Sequence, residues 1–257
     1  MNPLELCMAA GHLVLAVSAI GHIQHNKHKR SVYGVSYDTV LLTVVSQLCS
    51  VISTLNYYHN NTVKVQYQHR FPIHPIPGIS KSVLALDCAL VVLSWCLLWQ
   101  LCISYSRTRS VEQGFSGICL GLLAAFSMLV GYVGLQTVTV SSIVALDVVD
   151  AIWLVGKVCG TVRLVPQVLT NWMATSVVGF HSYWLQLEWI ALGVLLVGKS
   201  LLSRDYQWYA IPVNFVPWTW LGFGSIAVAV ITIQKLWVYR GRKGSLDLYY
   251  KDGPWLP

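Results

Sequence analysis

Apolar runs of roughly 20 residues recur from one end of this chain to the other, and no other feature narrows its folding options as much. They cover residues 4–24, 37–58, 81–105, 115–138, 143–169, 180–202 and 211–239 of 257. Charged residues make up 11% of the chain, against about 25% in an ordinary soluble domain. A water-soluble globule cannot hide so much apolar surface. Alternating ten-residue segments of the barrel type are missing, so the pattern predicts an all-α membrane protein with seven spans. The opening Met1-Asn2-Pro3-Leu4-Glu5 has no basic n-region and no small-residue cleavage site follows, so the first run reads as a span and not as a removed signal.

The net charge of +7 does not point to nucleic acid, because the basic residues sit in short clusters between apolar runs. They set topology instead. One side carries nine of them (Lys27, Lys29, Arg30, Arg107, Arg109, Arg240, Arg242, Lys243, Lys251) and the other four (Lys64, Arg70, Lys81, Arg204). Lys and Arg accumulate in cytosolic loops, which predicts a lumenal N-terminus and a cytosolic C-terminal tail. Asn60-Asn61-Thr62 is an N-glycosylation sequon in a loop that this orientation makes lumenal. That loop, 59–80, reads as a stiff connector because of the prolines in Phe71-Pro72-Ile73-His74-Pro75-Ile76-Pro77. The seven cysteines lie in or beside apolar runs without metal-type spacing and read as packing residues.

Displacing the chain by 145 residues aligns Asn26 with Asn171, Ser31 with Ser176, Val32 with Val177 and Gly34 with Gly179, each time between two consecutive spans. The first segment joins spans one and two, and the second joins spans five and six. This predicts two parallel triple-helix bundles joined by a linking helix, a 3+1+3 plan with a substrate site at their interface. The expected units are 1–105, a linker 106–140, 141–239 and a cytosolic tail 240–257.

Acids inside spans cost about 2.5–3.5 kcal/mol each on insertion scales unless they face a partner or water. Asp87, Asp147, Asp150 and Glu188 are such acids, and Asp38 begins a span. Lys157 and Arg163 are the matching cations. Asp150 and Lys157 lie two turns apart on one helical face, so span five either neutralises its own charges or serves a site. Glu188 has no cation three or four positions away on its own helix. It is a candidate proton carrier, or else a buried neutral structural residue. Pro166 and Gln167 close span five. A proline there breaks the helical ladder, giving either a hinge or a packing kink.

The Pro166-Gln167 pair, followed by Asn171, Ser176 and Gly179, resembles the motif of the PQ-loop family of seven-span transporters, whose relatives include sugar-carrying SWEETs and the KDEL receptor. Within that family the chain is most similar to the cystinosins, proton-coupled exporters of cystine from lysosomes and vacuoles. Residues 29–40 resemble their approach to span two, and the spacing from Pro166 to Glu188 resembles that from their PQ proline to a proton-coupling carboxylate. The first repeat has Gly21-His22 where the second has Pro166-Gln167. Other acids of that family fall on Ser82 and on Val228 or Ala229 here, and its lysine before the PQ pair falls on Arg163.

The resemblance implies a transporter, not an enzyme, exporting cystine or a related amino acid from an acidic organelle with a proton as the coupling ion and no other cofactor. Glu188, Asp38 and Asp87 are the expected proton-coupling acids. Asn171, Arg163 and Lys157 are the expected substrate-binding residues, and Pro166 with Gln167 the hinge. The partners implied are a small amino-acid substrate and the lipid bilayer. A sorting receptor, or a lipid-handling protein of the endosome or Golgi with the same helices, is the rival expectation.

Overall fold

The computed structural model describes residues 3–110, 113–140, 142–201 and 211–242. These form an all-helical membrane protein. Its helices are α1 (Pro3–Lys29), α2 (Tyr37–His59), α3 (Asn61–Arg70), α4 (Lys81–Trp99), α5 (Gly117–Thr139), α6 (Ala145–Val162), α7 (Val165–Met173), α8 (Trp184–Ser200) and α9 (Trp218–Ile233). Side-chain caps explain several starts: Ser36, Asn60, Ser80 and Ser116 each accept a backbone N–H from the first turn of the helix that follows. In α6 the Asp147 carboxylate takes the Val144 N–H at 2.8 Å.

Among the described residues, five helices are long and apolar enough to cross a bilayer: Pro3–Lys29, Tyr37–His59, Lys81–Ser104, Gly117–Thr139 and Trp218–Val238. The other two expected positions are occupied by α6 with α7 and by α8. Neither is an uninterrupted apolar rod. The first carries Asp147, Asp150 and Lys157 and is broken at Arg163–Leu164, and α8 has 17 residues. The loop expected to be a plain connector holds helix α3. Its run is polar and no apolar stripe marks it, so hydrophobic spacing does not reveal it; the prolines begin only after Phe71.

Helix pairing follows glycine. A Cβ built on Gly11 would lie 2.5 Å from Leu195 and one on Gly198 2.8 Å from Cys7, so α1 and α8 touch through missing side chains. Gly156 and Gly160 do the same for α6 against Cys49 and Ser46 of α2, at 2.8 and 2.6 Å. Gly11 and Gly156 are 145 residues apart. The largest apolar core joins α1, α4, α8 and α9, with Met8, Val83, Leu195 and Ile231 fully buried. By contrast α5 leans on α2 and α6 through Cys119, Leu42 and Cys159 and leaves Ile118, Leu135 and Val138 more than 70% exposed, an apolar surface suited to lipid.

Candidate functional site

The break between α6 and α7 is where the site starts. Arg163 and Leu164 leave the helical ladder, and Pro166 falls in the first turn of α7, where its missing N–H costs nothing. The next residue, Gln167, is fully buried and reaches out of its own segment. Its amide oxygen accepts the Ser36 N–H at 2.8 Å, and its nitrogen donates to the Gly34 carbonyl and to Asn171 Oδ1, both at 2.9 Å. Asn171 donates in turn to Gln234 Oε1 at 3.1 Å, and Gln234 donates to the Val168 carbonyl at 3.1 Å.

A similar lattice recurs in the first unit, with Asn26 and Ile23 145 residues before Asn171 and Val168, and Gln100 134 residues before Gln234. Asn26 donates to Gln100 Oε1 and Gln100 to the Ile23 carbonyl, both at 3.1 Å. His22, aligned with Gln167, places Nε2 3.1 Å from the Gly179 carbonyl, while Gln167 donates to Gly34, which aligns with Gly179. Gln100 and Gln234 each begin a five-residue π-helical turn that ends at a tyrosine, Tyr105 or Tyr239. Arg30 and Thr175, also aligned, have φ of 49° and 48°. The two loops press together at their glycines. Gly34 has φ 81° and Gly179 φ 98°, and an added Cβ would meet the Val178 or Tyr33 carbonyl oxygen at 2.5 or 2.6 Å.

Above these loops lies a cavity of about 700 Å³ including its open mouth, walled among others by Thr39, Thr43, Gln47, Trp184, Arg163 and Glu188. Arg163 Nη2 is 3.2 Å from Glu188 Oε2, with side-chain exposures of 12% and 6%. The guanidinium also stands over the Trp220 ring at 4.8 Å. The helix break supplies the cation that Glu188 lacks on α8. Phe180 and Trp184 stack at 4.0 Å beside the pair and give the cavity an aromatic wall.

The expected residues therefore separate into groups. Arg163, Gln167 and Glu188 line this cavity. Asn171 does not: its amide is consumed by Gln167 and Gln234. Lys157 and Asp87 line a second cavity with His12 and Ser50. Asp38 holds the Ser116 N–H at 3.0 Å and so tethers the start of α5 away from both cavities. Asp150 does not neutralise Lys157 as the helical face suggested. It accepts from Tyr57, and Arg70 of α3 binds Asp147 at 2.8 Å and Asp150 at 3.4 Å. Lys157 instead donates to the Phe215 carbonyl at 3.1 Å. Asn60 is exposed and caps α3 with its amide oxygen.

Gln100, His12 and Glu5 were missed by the sequence analysis. Glu5 accepts from Ser80 at 2.6 Å and Ser82 at 3.1 Å. A signal for Gln100 and Gln234 does exist: each is the lone amide near the end of an apolar run, followed by four residues and a tyrosine.

No family model matches the chain. It is 27% identical over 237 residues to the uncharacterized protein YCL002C of Saccharomyces cerevisiae, across 87% of this chain and 90% of that one. It is 26% identical over 225 residues to a cystinosin homolog of Caenorhabditis briggsae, across 84% of this chain and 52% of the relative, about half of that protein's length. The chain is thus a helical membrane protein with a distant likeness to a cystinosin homolog.

Proposed function

We propose that this chain is a seven-span transporter that moves cystine or a related amino acid, with a proton, from an acidic organelle such as the vacuole or lysosome to the cytosol. Its two triple-helix units are joined by α5 and meet at the cavity. The observation that carries this reading is the buried Arg163–Glu188 pair on the cavity wall. A zwitterion offers that pair what each half already prefers. Its carboxylate binds the guanidinium through two parallel hydrogen bonds and its ammonium binds the carboxylate, so one ion pair becomes two and no charge is stranded. The distant likeness to a cystinosin homolog supports the same class of cargo.

The glutamine lattice and the paired glycine loops close one end of the cavity, and the break before Pro166 is the hinge at which that end opens. A proton travelling with the solute neutralises one of the buried carboxylates, Glu188 or Asp87, which resist crossing the bilayer bare.

Counterflow of labelled cystine and a panel of amino acids into proteoliposomes of purified protein tests the reading. The expected result is saturable exchange that the double variant Arg163→Gln/Glu188→Gln abolishes. Saturable binding without flux would replace the transporter with a sorting receptor. Flux unchanged in the double variant would remove the pair from the site.

A further inference from the structure

The second cavity contains a histidine whose hydrogen bonding is constrained from both sides. His12 and Asp87 are 4% and 2% exposed. Nδ1 of His12 lies 2.7 Å from the carbonyl oxygen of Met8, one turn back on α1. A carbonyl only accepts, so Nδ1 carries a hydrogen, and in the neutral ring Nε2 is then a bare lone pair. That lone pair is aimed at Asp87 Oδ1, 3.4 Å away. Two acceptors facing each other in a buried site repel. One proton between them turns the contact into a charge-assisted hydrogen bond.

Building on the transport reading, we propose that His12 and Asp87 hold the coupling proton, bound between the ring Nε2 and a carboxylate oxygen, in a cavity beside the one that takes the solute. The two cavities share Leu15 and Gln47 as wall, and Trp220, which lines the proton cavity, lies under Arg163 of the solute cavity. A change at one is therefore one side chain away from the other.

The other charged groups around this site supply the alternative state. Lys157 of α6 lines the same cavity, and Lys199 of α8 is near enough to act on Lys157. From α2 come the uncharged Ser46, Gln47 and Ser50, and Ser50 already donates to Asp87 Oδ2 at 3.2 Å. Glu5, on α1 toward the N-terminus, is engaged by Ser80 and Ser82. With the proton bound, Asp87 of α4 is tied to α1. When the proton leaves, His12 Nε2 is bare again and repels the carboxylate, whose remaining attractive partners are Ser50 and the Lys157 ammonium. Asp87 then turns from α1 toward α6, a transfer from the first triple-helix unit to the second. Proton occupancy thereby sets which helices are held together.

The test combines a direct titration with transport. Full-length protein with 15N-labelled histidine is reconstituted in nanodiscs, and the imidazole signals absent from His12→Gln identify His12. The expected result is a change of protonation at His12 Nε2 as the medium is taken from neutral to the acidity of an acidic organelle, with a midpoint that moves in Asp87→Asn. In proteoliposomes an imposed gradient of about one pH unit supports roughly tenfold accumulation through one coupled proton. Asp87→Asn and the double variant His12→Gln/Asp87→Asn are expected to lose that accumulation. A His12 Nε2 that keeps one protonation state across the range, or a midpoint unmoved in Asp87→Asn, overturns the proposal. So does wild-type accumulation in the double variant. A wild-type chain that carries no solute sinks the transport reading, while the proton site stands or falls on the titration alone.

Discussion

Two side chains of this protein show how context fixes the role of a residue type. Glu188 has no partner on its own helix, and its isolation along the sequence suggested a lone proton carrier. In the fold its carboxylate meets Arg163 from the broken end of α6. Removing one member of such a pair leaves an uncompensated buried charge, at a cost of about 3–5 kcal/mol. We therefore expect Glu188→Gln and Arg163→Gln to lower thermal stability in detergent, and the double variant to recover most of the loss without recovering solute binding. A double variant no more stable than either single one would show that the two charges do not compensate each other. Gln167 is the second case. Its oxygen accepts from Ser36 while its nitrogen donates to Gly34 and Asn171, so both ends are in use. Gln167→Glu keeps the acceptor and sets an oxygen against two other oxygens, and the expected outcome is a larger stability loss than Gln167→Ala. Each unsatisfied buried group costs about 1–3 kcal/mol. Unfolding midpoints of the two variants, compared side by side, decide the order. The sequence marked Gln167 as a member of a pair with Pro166, but two of its three partners are 131 and 133 residues away and could not be read from spacing.

At the scale of elements, the two aligned segments differ at one place with a visible consequence. Helix α1 runs unbroken through Gly21-His22, whereas the aligned stretch breaks before Pro166-Gln167. Gly21 leaves room for His181, whose ring lies 3.1 Å from where a Cβ would sit. Pro166→Ala restores a backbone donor opposite Val162 and allows α6 and α7 to join. We expect normal folding and slowed counterflow for this variant if the break is the hinge of the proposed transporter. Unchanged flux would reduce the break to packing. The facing loops allow a sharper test: Gly34→Ala and Gly179→Ala combine a left-handed φ with a clash against backbone oxygen, which cannot swing away. Both are expected to destabilise the folded chain, and an unshifted unfolding midpoint would mean that the loops do not press together. Much of this level was legible. The seven apolar runs marked every α-helix but α3, one run covering both α6 and α7, and the break at Pro166 was expected from chemistry alone. Helix α3 and the π-helical turns after Gln100 and Gln234 were not, because a polar ten-residue helix has no apolar stripe and a widened turn leaves no periodic signal.

For the molecule as a whole, orientation is the property that decides what a transport cycle would mean. Nine basic residues on one side against four on the other predict a cytosolic C-terminus. The sequon at Asn60 gives an independent check, and the fold refines how to use it. Asn60 accepts the Thr62 and Val63 N–H groups through its side-chain oxygen and so caps α3, a role that does not need the amide nitrogen to which a glycan attaches. Substituting Asn60 therefore changes two things at once, whereas Thr62→Ala removes the sequon and keeps the cap, whose donor is the backbone of residue 62. The expected outcome in a glycosylating microsome system is a mass shift in wild type that is lost in both Thr62→Ala and Asn60→Gln. Thermal stability should be unchanged in the first variant and lowered in the second by about 1 kcal/mol, the usual worth of such a cap. A reporter fused to the C-terminus should be digested by protease added outside sealed microsomes. Its protection would reverse the orientation, and with it the direction of the proposed transport.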